Sequence, residues 1–110
     1  MSRYDVIIIG AGPGGIFAAY ELAKKAPELK VAVFESGNSL EKRKCPIDGK
    51  KIKSCINCKT CAIMSGFGGA GAFSDGKYNI TNDFGGTLYE YIGKDTAIDL
   101  MKYVDEINLA

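Results

Sequence analysis

Unbroken apolar character at Val6-Ile7-Ile8-Ile9, interrupted at once by Gly10-Ala11-Gly12-Pro13-Gly14-Gly15, organises the first third of the chain. Four β-branched residues without alternation predict a central parallel strand covered on both faces. The period then lengthens. Across residues 16–25, Ile16, Ala19, Tyr20 and Ala23 share one helical stripe, Lys24 and Lys25 fall where the helix dipole favours cations, and Pro27 ends the element. Val31-Ala32-Val33-Phe34 is a second apolar run, so residues 1–36 read as strand, helix, strand. Helical and alternating patterns fade between 37 and 86. They return over 87–110: Thr87 and Glu90 have capping-box spacing for a short helix through Ile92, stopped by Gly93. Asp95 or Thr96 is placed to cap a second helix from about Ala97, with Ile98, Met101, Val104 and Ile107 on its apolar face.

Gly10, Gly12 and Gly15 supply the spacing GxGxxG between strand and helix. The first glycine permits a tight turn, the second lets main chain approach a pyrophosphate, and the third lets helix pack close on strand. Amides at the helix N-terminus then face phosphates. Glu35 stands at the end of the second strand, twenty residues beyond Gly15. An acid there accepts hydrogen bonds from both hydroxyls of an adenosine ribose and repels a 2′-phosphate, which disfavours NADP. The fold class is therefore α/β: an incomplete Rossmann-like βαβ nucleotide-binding unit, then a Cys/Gly-rich loop region and carboxyl-terminal helices.

Length narrows this picture. A whole dinucleotide-binding sheet has about five or six strands, and 110 residues with two convincing strands read as the amino-terminal piece of a longer protein. Such a piece is expected to be partly ordered or to bury its open sheet edge against another copy. Net charge is +1 with acids and bases interspersed, which predicts neither nucleic acid nor an anionic membrane as partner. Lys42-Arg43-Lys44 and Lys50-Lys51-Ile52-Lys53 read as a solvated basic loop. No apolar signal segment precedes the first strand, so the cytoplasm is the expected location. The chain has no histidine, which excludes Ser-His-Asp or Cys-His catalysis and Cys₂His₂ zinc binding within it.

Two features mark the middle of the chain. Cys45 precedes Pro46, and Cys55, Cys58 and Cys61 follow as CxxCxxC. Thiolates three residues apart can converge on one metal, and four complete a tetrahedral site for zinc or ligate an iron–sulfur cluster. The second feature is Met64 to Lys77, with five glycines in fourteen residues interleaved with Phe67 and Phe73. Small side chains at this density let a backbone pass close to a flat or charged ligand, and consecutive amides can cradle an anion.

Taken together, Ile9 to Gly15, Glu35, the cysteine cluster and Gly68-Gly69-Ala70-Gly71-Ala72-Phe73-Ser74-Asp75-Gly76-Lys77 resemble the amino terminus of the FAD-dependent dehydrogenases. These are bacterial flavoproteins of the FAD/NAD(P)-binding superfamily that includes glutathione reductase. The resemblance implies FAD as cofactor, with Gly10, Gly12, Pro13, Gly14 and Gly15 at the pyrophosphate and Glu35 at the adenosine ribose. It places Arg43 where related flavoproteins reach the cofactor with a basic residue, and Gly68, Gly69, Ala70 and Gly71 against FAD from the second loop. Cys45 through Cys61 is an insertion relative to that pattern.

Three functions are compatible with these residues. The first is the FAD-binding part of an oxidoreductase with an unspecified electron donor and acceptor, inactive as a fragment, with no residue assigned a catalytic role. The second is an NAD-binding module using the same turn and acid. In the third, the four cysteines hold a metal or electron-transfer centre and the βαβ unit is scaffold.

Overall fold

Residues Val6–Ile9 (β1) and Val31–Phe34 (β2) form a parallel two-stranded sheet in the computed structural model, which describes residues 3–110. Val6 stands opposite Val31 and Ile9 opposite Phe34, and the helix Pro13–Lys25 (α1) makes the crossover. Asp5 closes the entry of the pair: its carboxylate accepts the Lys30 N–H at 2.8 Å, and the Lys30 carbonyl accepts the Asp5 N–H at 2.8 Å. The chain divides into two units, Met1–Ser74 and Asp75–Ala110.

The strand pattern departs from the expectation of cover on both faces. Val6 and Ile8 are half-buried, whereas Ile7 is 57% and Ile9 82% exposed. Strand side chains alternate between faces, and within this unit α1 shields only the Ile8 side. The helix face is also rotated from the predicted stripe. Ile16, Ala19, Leu22 and Ala26 are half-buried, while Tyr20 and Ala23 are exposed; the Tyr20 ring instead lies 5.9 Å from the Lys24 ammonium. Helix α1 begins at Pro13, whose fixed φ suits the first helical position, and its last turn closes as the Ala26 N–H donates to the Leu22 carbonyl.

Close approach of α1 to β1 depends on Gly15. A Cβ there would fall on the Gly10 carbonyl oxygen and stand 3.2 Å from Ile8 Cγ2.

The remainder of the first unit is irregular apart from short 3₁₀ turns at Leu40–Lys42 and Ala70–Phe73. Its organising group is Arg43, which is only 3% exposed. The guanidinium donates through Nε to the Ala62 carbonyl at 2.8 Å and through Nη2 to that of Ile63 at 2.7 Å. Nη1 donates to Phe67 at 2.6 Å and Gly69 at 2.9 Å. The Phe73 ring covers the cation, with its centroid 4.8 Å from Cζ. One planar fork therefore fixes two stretches of main chain that no sheet or helix pairs. Gly66 makes room for it, since a Cβ at that position would meet Arg43 Cδ at 2.6 Å.

In the second unit, Leu88–Ile92 (α2) and Lys94–Leu109 (α3) are separated by Gly93 alone. The expected capping box does not form: the Thr87 side chain makes no cap bond, and the Glu90 N–H donates to the Thr87 carbonyl at 2.9 Å. Helix α3 starts at Lys94 instead of Ala97, so Asp95 and Thr96 lie inside its first turn. With Gly93 acting as the N-cap position, the helix needs no side-chain cap to begin. Its inner face agrees with the predicted one: Ala97 is buried, and Ile98, Met101, Val104 and Ile107 are half-buried. Among the described residues no helix is long and apolar enough to cross a membrane.

Two substitutions test these ties. Alanine at Gly15 gains about 1 kcal/mol of helix propensity but must displace main chain, a cost of about 2–3 kcal/mol at the upper end of the overpacking range; urea denaturation is expected to show a net loss of about 1–2 kcal/mol. Arg43→Lys leaves at least some of four carbonyls unpaired, at about 1–3 kcal/mol each. The expected loss is about 3 kcal/mol or more, with amide exchange accelerated at Gly68 and Gly69.

Candidate functional site

The glycine turn is built around one residue, Ala11. Gly10 leaves β1 at φ +97°, a region that side chains disfavour, and its N–H donates to the Phe34 carbonyl at 2.6 Å. This tucks the turn under the end of β2. Ala11, 1% exposed, then donates its N–H to Glu35 Oε2 at 2.8 Å and accepts the Gly68 N–H on its carbonyl at 2.7 Å. The acid at the strand end and the second glycine loop thus hold the N–H and the carbonyl of the same residue.

Glu35 is bound at both oxygens. Its Oε1 accepts the Gly37 N–H at 2.8 Å. The Gly37 amide, followed by that of Ala11, holds the carboxyl below its ordinary value of about 4.5, because both amides favour the charged form. A carboxylate has about four acceptor positions. The two backbone bonds to Ala11 and Gly37 therefore do not exhaust its acceptor capacity.

Beyond Ala11 the turn opens. Gly12 precedes α1 with no side-chain cap, Pro13 has no N–H, and Gly14 and Gly15 begin the helix. Nothing lies within 4 Å of where a Cβ would stand on Gly10, Gly12 or Gly14. Free space beside three glycines and uncapped amides at a positive helix end form a cradle for an anionic group.

The second loop lies against this cradle. Gly69, at φ +63°, has Pro13 Cδ at 3.1 Å and Gly12 Cα at 3.2 Å from the position of a Cβ, so a side chain there would press on the start of α1. The Phe67 N–H donates to the Asn38 carbonyl at 3.0 Å. Gly68 and Gly69 are therefore brought beside Gly12 and Pro13. Ala70 and Gly71 continue into the exposed 3₁₀ turn, with open space beside Gly71.

Arg43, which the resemblance sets toward the cofactor, is placed behind the second loop in this structure. Its guanidinium is buried among the carbonyls of Ala62, Ile63, Phe67 and Gly69, so it shapes the second loop from behind. The sequence reading also passed over Gly37 and Gly66, which pack against one another: a Cβ on Gly37 would come within 2.6 Å of Gly66 Cα. A glycine two residues after a strand-end acid was the available signal for Gly37. Gly66 had none beyond its place in a glycine-rich run.

Cys45, Cys55, Cys58 and Cys61 are exposed free thiols. They line one cavity of about 230 Å³, together with Pro46, Ile56 and Ala62 among others. Among the described residues no three Cys, Asp or Glu side chains are gathered closely enough to hold a metal ion. In the second unit, Lys77 and Asp75 form an exposed ion pair at 3.2 Å, and Tyr78 is exposed.

Comparison with known proteins singles out the amino-terminal part of this geometry. Residues 1–41 match the model of the Thi4 family. An uncharacterized protein of Clostridium beijerinckii is 39% identical over 71 residues, 64% of this chain and 13% of the relative. The thiamine thiazole synthases of Yarrowia lipolytica and Phaeosphaeria nodorum are each 61% identical over 33 residues, 30% of this chain and 10% of each relative. The chain spans only about a tenth of the length of these curated relatives. No solved structure matches it significantly. The family-model match contains the glycine turn and Glu35 and ends before Arg43, the cysteines and the second loop.

Proposed function

We propose that the first unit binds the ADP half of FAD and is the cofactor-binding part of a flavin-dependent oxidoreductase. The observation carrying this reading is the meeting of two glycine loops at the start of α1, with Glu35 bracing the turn between them. The open space at Gly12 and Gly14 fits a pyrophosphate, and the unused acceptor positions of Glu35 fit ribose hydroxyls. Gly68, Gly69, Ala70 and Gly71 would approach the cofactor from the opposite side. Bound flavin supplies hydride or electron acceptance, from a donor these residues do not identify. This chain contributes orientation: Gly10, Gly12, Pro13, Gly14 and Gly15 set the backbone path, and Glu35 holds it in register with β2.

Similarity to the thiamine thiazole synthases supports a shared nucleotide-binding beginning. Thiazole synthesis is not carried over, because the family-model match stops at residue 41, ahead of the segments that distinguish this chain. FAD is favoured over NAD by the second loop, which gives the turn a second wall, and by the resemblance to flavoprotein dehydrogenases.

Titration of the chain with FAD, NAD and ADP, followed by calorimetry and flavin fluorescence, tests the reading. FAD is expected to bind at least about tenfold tighter than NAD, a difference of about 1.4 kcal/mol. Glu35→Ala should weaken FAD and ADP by at least a similar factor; unchanged binding would remove the ribose assignment. The pH dependence has a defined sign. Glu35 is charged and holds both amides at neutral pH, and its folded value lies below its ordinary one. Its stabilising contribution is therefore fully present above the ordinary carboxylate range and is lost as pH falls through the lowered value. Affinity should hold until pH passes below that range, with the Ala11 and Gly37 amide resonances shifting together.

A further inference from the structure

We propose that Cys45, Cys55, Cys58 and Cys61 are the four ligands of one tetrathiolate zinc site, independent of the nucleotide cradle. All the cysteines of the chain line the same cavity, although they come from positions up to sixteen residues apart. Every thiol is free and exposed, so none is committed to a disulfide or to an apolar core.

The local backbone of Cys55-Ile56-Asn57-Cys58 is already turned for ligation. Asn57 adopts φ +53°, unusual for a residue other than glycine, and its N–H donates to Cys55 Sγ at 3.4 Å. This contact fixes the position of the Cys55 sulfur relative to the turn. The present thiol also points toward Asn57 Oδ1 at 3.7 Å.

Charge around the cavity suits the product. Four thiolates on Zn²⁺ carry a net charge of −2. From Lys42 to Cys61 the sequence has Lys42, Arg43, Lys44, Lys50, Lys51, Lys53 and Lys59 against the single acid Asp48. Asp48 is itself occupied in closing the Lys50–Ile52 loop, accepting the Lys50 N–H at 2.8 Å and the Ile52 N–H at 2.9 Å. Apart from Arg43, which is buried behind the second loop, a basic stretch that has no role in the nucleotide cradle thereby acquires one.

The segment also lacks another source of order. It contains no helix or strand, and between Lys44 and Cys61 only Ile52 is even half-buried. The carbonyls of Ala62 and Ile63, immediately after Cys61, are held by Arg43, so one side of the cavity is anchored while the other three ligands lie on free loop. Binding draws the four sulfurs inward: four S–H bonds are lost, four Zn–S bonds form at about 2.3 Å, and four protons pass to buffer. No electron transfer is involved.

The test is titration of the fully reduced chain with Co²⁺ and then Zn²⁺, read from cobalt–thiolate absorption, together with a count of reactive thiols. One equivalent should give a tetrahedral spectrum, Zn²⁺ should displace Co²⁺, and the number of reactive thiols should fall from four to zero. Each Cys→Ser variant should bind about a hundredfold more weakly. The thiol count on the unaltered chain keeps the proposal testable if a variant fails to fold. Absence of stoichiometric binding would overturn it, as would full affinity in Cys45→Ser or an iron–sulfur spectrum in the protein as isolated. None of these readouts depends on FAD, so failure here leaves the nucleotide reading standing, and the reverse.

Discussion

A buried guanidinium is the constraint on which the first unit depends. Arg43 gathers the carbonyls of Ala62, Ile63, Phe67 and Gly69, positions 19 to 26 residues away in sequence. Desolvating a cation is costly, and here the dipoles of four carbonyls and the face of Phe73 offset that cost. The return is geometric. Loop residues that pair with no strand are given a fixed path, which lets the Gly68 amide reach Ala11 and leaves Gly69 beside Pro13, where only the absence of a side chain permits the approach. Remove the fork and the wall of the cradle has nothing behind it.

Glu35 works from the other side and on the same residue, Ala11. A carboxylate suits this position because it accepts two main-chain N–H groups and keeps acceptor capacity in reserve. Under the proposed nucleotide reading, structural bracing and ligand recognition would compete less than they would for an amide or hydroxyl, and a Gly10–Gly12 backbone already held in shape would leave less ordering to be done on binding.

What could be read from sequence was local. The runs at Val6–Ile9 and Val31–Phe34, the GxGxxG spacing and the role of Gly15 follow from period and sterics within about thirty residues. Arg43 had no such signature: its partners are carbonyls, which every residue carries, and its surroundings are lysine-rich, which suggested a solvated loop. The α1 stripe was misplaced onto Tyr20 and Ala23 because a helical wheel finds an apolar arc but not its centre when alanines flank it. The helix after Thr87 ends at Ile92 and stops at Gly93 as its spacing predicts, but the start of α3 differs, since the glycine immediately before it supplied the break that Asp95 or Thr96 was expected to mark. The approach of the two glycine loops has no local signature, because no periodicity links Gly12 to Gly69.

Few side chains are fully buried: Ala11 and Ala97 are the apolar ones among the described residues, and Arg43 is the charged one. Area removed from water therefore contributes little to fixing the loops, and hydrogen bonds to main chain set their shape. Such bonds are modest in net free energy, about 0.5–1.5 kcal/mol each, but strongly directional. A structure held this way is well defined at Ala11 and weakly held wherever the bonds thin out, as between Lys44 and Cys61. In that regime a ligand that binds the folded form adds to stability by mass action. The cradle and the cysteine cavity meet Arg43 from opposite ends of residues 62–69. Both are tied to that one guanidinium by directional bonds to main chain and not by apolar packing.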